Sequence, residues 1–277
     1  MIKLNNKIIT DSLYSLDMLT IKFILTTSDA QYLMDKYSMS SNITQWQSSK
    51  LSTCRYNYSI ECHHNNSFYI GFVPNWKREE HGFVNGRIEF NPNKLDDDSI
   101  FDSMYHEIVS LVPSGFLQPV KFDLAIDIPV SRSKVYLIKD KRTYEEYSNS
   151  NSDRTQYLGK RNAHGRVKVY NKALEQKLDI DLTRIELTID YDKCSINEVK
   201  KILPKLYLLD SFQFPLDIAG TDKVILIAIL SDLSLMNELG RKKRDKIKSY
   251  LLDMQLNLSL DIDKYNRVIE IIQEYIH

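Results

Sequence analysis

Residues 155–175 read T-Q-Y-L-G-K-R-N-A-H-G-R-V-K-V-Y-N-K-A-L-E, and T-R-I-E follows at 183–186. Within this stretch Arg166, Lys168 and Tyr170 alternate with Val167 and Val169, so a β-strand turns three polar side chains to one face and two valines to the other. Thr183–Ile189 repeats the design, with Arg184, Glu186 and Thr188 opposite Ile185, Leu187 and Ile189. Working outward, Lys121–Ile128 sets Asp123, Ala125 and Asp127 against Phe122, Leu124 and Ile126. Arg87, Glu89 and Asn91 oppose Ile88 and Phe90. Laid side by side, such strands merge their polar sides into one charged surface over an apolar core. Gly159 and Gly165 bracket a hairpin turn from Gln156–Leu158 into Arg166–Tyr170, with Asn162 or His164 at its tip.

The flanking segments fill in an α+β chain. Tyr56–Ile60 and Ser67–Phe72 read as a hairpin across Asn65-Asn66, and Asn91-Pro92-Asn93 stops the Arg87–Phe90 strand because proline withdraws a ladder donor. Phe101–Val112 has helical spacing at Phe101, Met104, Ile108 and Leu111. Ser195–Leu203 carries a helix cap at Ser195, with Glu198 three residues on and Pro204 just beyond its end. Ser148–Asp153 reads as a loop. Helical texture takes over past Pro215, as Thr221–Leu239, Lys242–Leu256 and Asp261–Ile276. The expected architecture is a central, mainly antiparallel sheet with a polar catalytic face and helices on the other side, at 1–215. A helical C-terminal unit follows at 216–277. Helix–Gly240–helix, with Arg241, Lys242, Lys243 and Arg244 opening the second helix, fits either a DNA-reading helix-turn-helix or helices that cap the sheet.

Composition narrows the class. The chain has 277 residues, 43% of them hydrophobic and 27% charged, as in an ordinary soluble globular protein. Val224–Leu230 is too short an apolar run to span a bilayer, and Met1–Thr10 lacks a signal-peptide core, so the expected location is the cytoplasm, with no membrane partner. Three cysteines, Cys54, Cys62 and Cys194, cannot all pair with one another, which suits a reducing compartment. Cys62 adjoins His63 and His64, but the spacing C-x7-C-H-H matches no common zinc module. G-x-x-x-x-G-K-[ST] is absent, so nucleotide hydrolysis has no support. The formal net charge is zero, which argues against a protein that coats nucleic acid indiscriminately. Basic groups nevertheless cluster: between Arg132 and Lys172 there are 11 Lys/Arg against 4 Asp/Glu. Lys139, Lys141, Arg142, Lys160, Arg161, Lys168 and Arg184, with the Arg241–Arg244 cluster, are the candidate DNA-backbone contacts.

The charged strand centres have the parts that phosphoryl chemistry needs. Asp123, Asp127 and Glu186 could hold Mg2+ or Mn2+, hard ions that take oxygen ligands. Arg166 and Lys172 could offset charge on phosphate oxygens in the transition state. Tyr170, whose free pKa is about 10, needs neighbouring cations or a base to become a nucleophile near neutral pH.

The order R-I-E-F-N-P-N-K (87–94), F-D-L-A-I-D (122–127), Y-L-G-K-R (157–161), R-V-K-V-Y-N-K-x-x-E (166–175) and T-R-I-E (183–186) resembles rolling-circle replication initiators, in the plasmid and phage class that lacks the paired-histidine motif. Related conjugative relaxases share the likeness, which covers about residues 85–190. It implies a metal-dependent endonuclease and strand transferase acting on origin DNA, double-stranded with an extruded single strand. Tyr170 matches the tyrosine of R-x-x-x-Y-[ND]-K and so implies a 5′-phosphotyrosine link. Asp123, Asp127 and Glu186 fall where metal would bind, and Arg166 and Lys172 where phosphate would be gripped. A host helicase and polymerase are partners the resemblance implies, and the C-terminal helices would assist DNA binding or a homodimer. A relaxase at a transfer origin and a non-catalytic DNA-binding accessory protein or repressor are the alternatives.

Overall fold

A computed structural model describes residues 2–4, 7–9, 12–38, 58–61, 68–73, 82–95, 100–149, 153–208, 218–231, 233–253 and 255–276. Cys54, Cys62, His63 and His64, and the turn between the two strands read at 56–72, lie outside them. The fold is mixed α+β, with a large, mostly antiparallel sheet, flanking helices and a C-terminal helical segment. Its contacts divide into two units.

One unit comprises Ser15–Leu124, Thr188–Cys194 and Lys264–His277. It contains β3 (Leu13–Thr26), β4 (Tyr58–Glu61), β5 (Phe68–Val73), β6 (Phe83–Phe90) and the start of β7 (Gln118–Ile128), in the order β4-β5-β6-β3-β7. Along β6, Val84, Ile88 and Phe90 are buried while Arg87 and Glu89 stay half-exposed and pair with each other, as the period-two pattern requires. The buried face is aromatic. Phe101 and Tyr105 of α2 (Ile100–Leu111) stack with each other, Phe101 also meets Phe68 and Phe90, and Tyr275, just after α7 (Ile262–Glu274), packs on Phe90 and Tyr105. Such offset and edge-on aromatic contacts add about 1 kcal/mol each beyond area burial. The helix α1 (Thr27–Ser38) continues directly from β3; Thr26 Oγ1 accepts from the Asp29 amide at 3.1 Å and so caps its first turn.

The other unit comprises Met1–Tyr14, Ala125–Leu187 and Ser195–Asp263. Its part of the large sheet runs β7-β12-β11-β10-β9, where β9 is Tyr144–Ser148, β10 Arg154–Leu158, β11 Val167–Asn171 and β12 Thr183–Asp190. The β10–β11 hairpin is the one expected, held by left-handed backbone at Gly159 (φ 88°) and Gly165 (φ 76°), with Asn162 also left-handed (φ 60°). A second sheet has the order β2-β1-β14-β13-β8, from β1 (Ile2–Leu4), β2 (Lys7–Ile9), β8 (Val135–Leu137), β13 (Lys205–Leu208) and β14 (Gln255–Asn257).

The two sheets of this unit are joined by one buried arginine. The Arg132 guanidinium donates to the carbonyls of Arg154 (2.8 Å), Val135 and Val169 (3.4 Å) and to the Gln156 side chain (2.8 Å), which also accepts from the Leu137 amide at 3.0 Å. These acceptors let a charged group lie inside the core without an orphan donor at each nitrogen. Helices α5 (Gly220–Ser231) and α6 (Arg241–Asp253) bury Leu226, Ile229, Leu230, Ile247, Tyr250 and Leu251 between them.

Two element boundaries differ from the sequence reading. The helix expected over Thr221–Leu239 is α5 followed by a 3-10 turn at Leu233–Glu238. The one expected over Lys242–Leu256 stops at Asp253, and Gln255–Asn257 is a strand paired to β1 and β13. Helical propensity along the chain could not anticipate a partner strand more than 250 residues away.

Candidate functional site

On β11 the valines point inward and are fully buried, which leaves Lys168 and Tyr170 on the opposite face. The antiparallel register then sets Lys168 across from Glu186 and Tyr170 across from Arg184. Asn171 follows at once and caps α3 (Lys172–Gln176), its side chain accepting from the Leu174 amide at 2.9 Å. That cap turns the chain so that Lys172 and Glu175 come back over Tyr170.

Tyr170 is only 7% exposed. Its hydroxyl donates to Glu186 Oε1 at 2.6 Å and lies 3.4 Å from Glu175 Oε2. Lys168 Nζ stands 3.9 Å over the ring centroid and bridges to Glu186 Oε2 at 3.1 Å; Lys172 Nζ stands 5.9 Å over the same ring and pairs with Glu175. The lysines therefore touch the face of the ring, and the oxygen is held by a carboxylate. Burial, followed by the charge and hydrogen bond of Glu186, drives the phenol pKa well above its ordinary value, and Arg184 opposes the shift.

The expected residues are not all at this centre. Arg184 and Asp127 form a buried two-point ion pair, with both nitrogen-to-oxygen distances 2.7 Å. Arg166 lies on the Tyr170 face but four residues along the strand, about 13 Å away at strand rise, with its guanidinium 4.7 Å over the Tyr157 ring. Asp123 belongs to the other unit, where it and Asp190 offset the depression of the Lys121 pKa caused by burial and by Arg87.

The donor set does not make a metal cage as it stands. Among the described residues no group of three or more His, Cys, Asp or Glu is placed to hold an ion. Asp127 directs both oxygens at Arg184, and Glu186 divides its own between Tyr170 and Lys168. As paired here, these carboxylates present no open set of oxygens to a divalent cation.

The basic candidates separate into exposed and structural groups, and Lys139 Nζ stands 4.4 Å over the Tyr144 ring. Lys160 and Arg161 are exposed on the β10–β11 turn, and Lys139 and Lys141 are exposed just before β9. Arg142 instead donates to the carbonyls of Gly165 (2.6 Å) and Ile202 (3.0 Å) and pairs with Asp140. On α6, Arg241 and Lys242 are exposed, Lys243 and Lys246 pair with the buried Asp222 of α5, and Arg244 donates to the Leu239 carbonyl at 2.8 Å. Sequence reasoning missed Glu175 and the Arg132 anchor. The first was legible as the closing acid of Y-N-K-x-x-E; nothing local marks the second.

No family model matches the chain. A replication initiation protein of Staphylococcus aureus is 26% identical over 259 residues, spanning 89% of this chain and 77% of that protein. A second from the same organism is 25% identical over 186 residues, 62% of this chain and 56% of its own length, and a third is 30% identical over 117 residues. This chain therefore spans about three quarters of the first of these relatives and little more than half of the second. A solved rolling circle replication initiator protein from Geobacillus stearothermophilus is 12% identical and aligns over 79% of this chain and 85% of that one, with a TM-score of 0.38.

Proposed function

We propose that this chain, a member of the replication initiator family, nicks single-stranded origin DNA with Tyr170, retains the 5′ end as a phosphotyrosine and leaves a 3′-OH to prime rolling-circle synthesis. One observation carries the reading. A tyrosine on the polar face of a sheet has its hydroxyl hydrogen-bonded at 2.6 Å to a carboxylate and two lysines over its ring.

Glu186 Oε1, 2.6 Å from the hydroxyl, receives the phenolic proton as the Tyr170 oxygen attacks phosphorus. The new O–P bond forms while the P–O3′ bond breaks; its electron pair leaves on the 3′-oxygen, which takes a proton from solvent water to become the 3′-OH. Lys168 and Lys172 are near enough to offset charge on the phosphate's other oxygens. Closure runs the same steps backwards, with a 3′-OH as the nucleophile. The resemblance also implies dependence on Mg2+ or Mn2+; a chelator added to the nicking assay tests it.

The deciding experiment incubates the protein with supercoiled DNA carrying its origin, followed by denaturing electrophoresis and peptide mapping. The expected result is a nicked circle with DNA attached at Tyr170. Tyr170→Phe should lose the adduct while keeping DNA binding. Sequence-specific binding with no nick and no adduct would make the chain a non-catalytic DNA-binding protein instead.

A further inference from the structure

The polar face does not end at the candidate nucleophile. The register places Glu145, Tyr157, Lys168 and Glu186 in one row across β9, β10, β11 and β12, and sets Tyr147 of β9 against Thr155 of β10 in a neighbouring row. Side chains alternate, so Tyr147, Tyr157, Arg166, Lys168 and Tyr170 all share one side, opposite the Arg132 anchor. Tyr147 is 63% exposed although it is a large aromatic residue. Its ring meets Tyr157 edge-on, with centroids 6.0 Å apart at 80°, and the Arg166 guanidinium covers Tyr157 from the other direction at 4.7 Å.

We propose that Tyr147, Tyr157 and Arg166 form a stacking platform for the bases of the single strand that reaches Tyr170. This rests on the reading that the chain acts on single-stranded DNA. The platform is two strand spacings wide, about 10 Å. It combines the two groups that bind unpaired nucleotides without reading sequence, flat π-faces for bases and cations for the backbone. The guanidinium can meet the phosphates of either form, but an exposed tyrosine ring offers no stacking partner to a duplex, whose bases are already stacked on one another. The phosphates run on the Arg166 side, where Lys160 and Arg161 are exposed on the adjoining turn. Glu145, directly across from Tyr157, keeps them off the opposite corner.

The test is fluorescence anisotropy at fixed salt, with a labelled single-stranded oligonucleotide of the origin and the same sequence as a duplex. Tyr147→Ala and Tyr157→Ala should each weaken single-strand binding about 5- to 140-fold, the range of one lost base stack, with duplex affinity unchanged. Tyr147→Trp should bind at least as well as the native protein. Tyr147 is too exposed for its loss to unfold the edge strand, and an unchanged melting temperature checks this. Native-like single-strand affinity in both alanine variants overturns the platform, as does equal loss on duplex. Nicking is scored separately: a native protein that nicks normally while both alanine variants bind the single strand as it does refutes the platform alone. One that shows the tyrosine-dependent binding but never nicks supports the platform and refutes the nicking reading.

Discussion

The Tyr170 hydroxyl shows how a residue's role is set by what lies within 3 Å of it. Alternation places it on a charged face, yet the nearest charge to its oxygen is negative, and the cations sit on its ring. A phenol held this way stays protonated until its proton has somewhere to go, and the proposed attack therefore assigns that proton to Glu186. Asp127 tells a related story. Its position suggested a metal ligand, but both oxygens meet Arg184 with neither group more than 8% exposed. Asp127→Ala should therefore leave an uncompensated buried guanidinium and lower stability by about 3 kcal/mol, read as a reduced urea midpoint. Lost nicking at unchanged stability would instead place Asp127 in the chemistry. The residue types of this centre were legible in R-V-K-V-Y-N-K-x-x-E; their pairing was not, because it depends on which strand neighbours which.

At the scale of elements, Arg132 is the part that sequence patterns hide. It sits in a short 3-10 turn, flanked by serines, and reads as one more basic residue of a basic stretch. In the fold it is 1% exposed and ties β8 to β10 and β11 through four acceptors. Arg132→Met keeps the stem volume but removes the bonds to three carbonyls and to the Gln156 side-chain oxygen, which keeps only the Leu137 amide. The expected loss is about 2–4 kcal/mol, since each unmade buried bond costs roughly 1 kcal/mol or more. A denaturation curve with a lowered midpoint and native slope would show it, and a wild-type midpoint would mean the network is water-filled. Because β10 and β11 carry Tyr157 and Tyr170 on their reverse side, partial rescue of nicking in this variant at low temperature is also expected.

Over the whole molecule, buried tyrosines set the response to alkali. Tyr14, Tyr37, Tyr105, Tyr144, Tyr170, Tyr207, Tyr265 and Tyr275 all have phenol pKa values raised above the ordinary one, with burial the leading cause. An unfolded chain releases these protons near pH 10, while the folded one keeps them. Stability is therefore complete below about pH 10 and falls as pH rises beyond it. The check is the urea midpoint and tyrosinate absorbance followed together to about pH 11: the tyrosinate signal should grow with unfolding, and its full appearance in a folded protein would contradict the burial described. No helix among the described residues is long and apolar enough to cross a membrane. On the proposed function, the neutral net charge leaves affinity for DNA to local clusters, of which Lys160–Arg161 and Arg241–Lys242 are exposed.

The sequence by itself determined the alternating strands at 87–90, 121–128, 166–170 and 183–189, the Gly159–Gly165 hairpin and the cap at Ser195, because these follow from side-chain period and local backbone chemistry. It also placed one tyrosine among cations and acids. Tertiary structure alone decided that Glu186 holds Tyr170, that Asp127 is spent on Arg184, that Arg166 lies with Tyr157, and that Gln255–Asn257 joins a sheet begun at residue 2. The physical reason is common to all four. Strand register and sheet order are contacts between distant segments, and no local periodicity encodes which segments will meet.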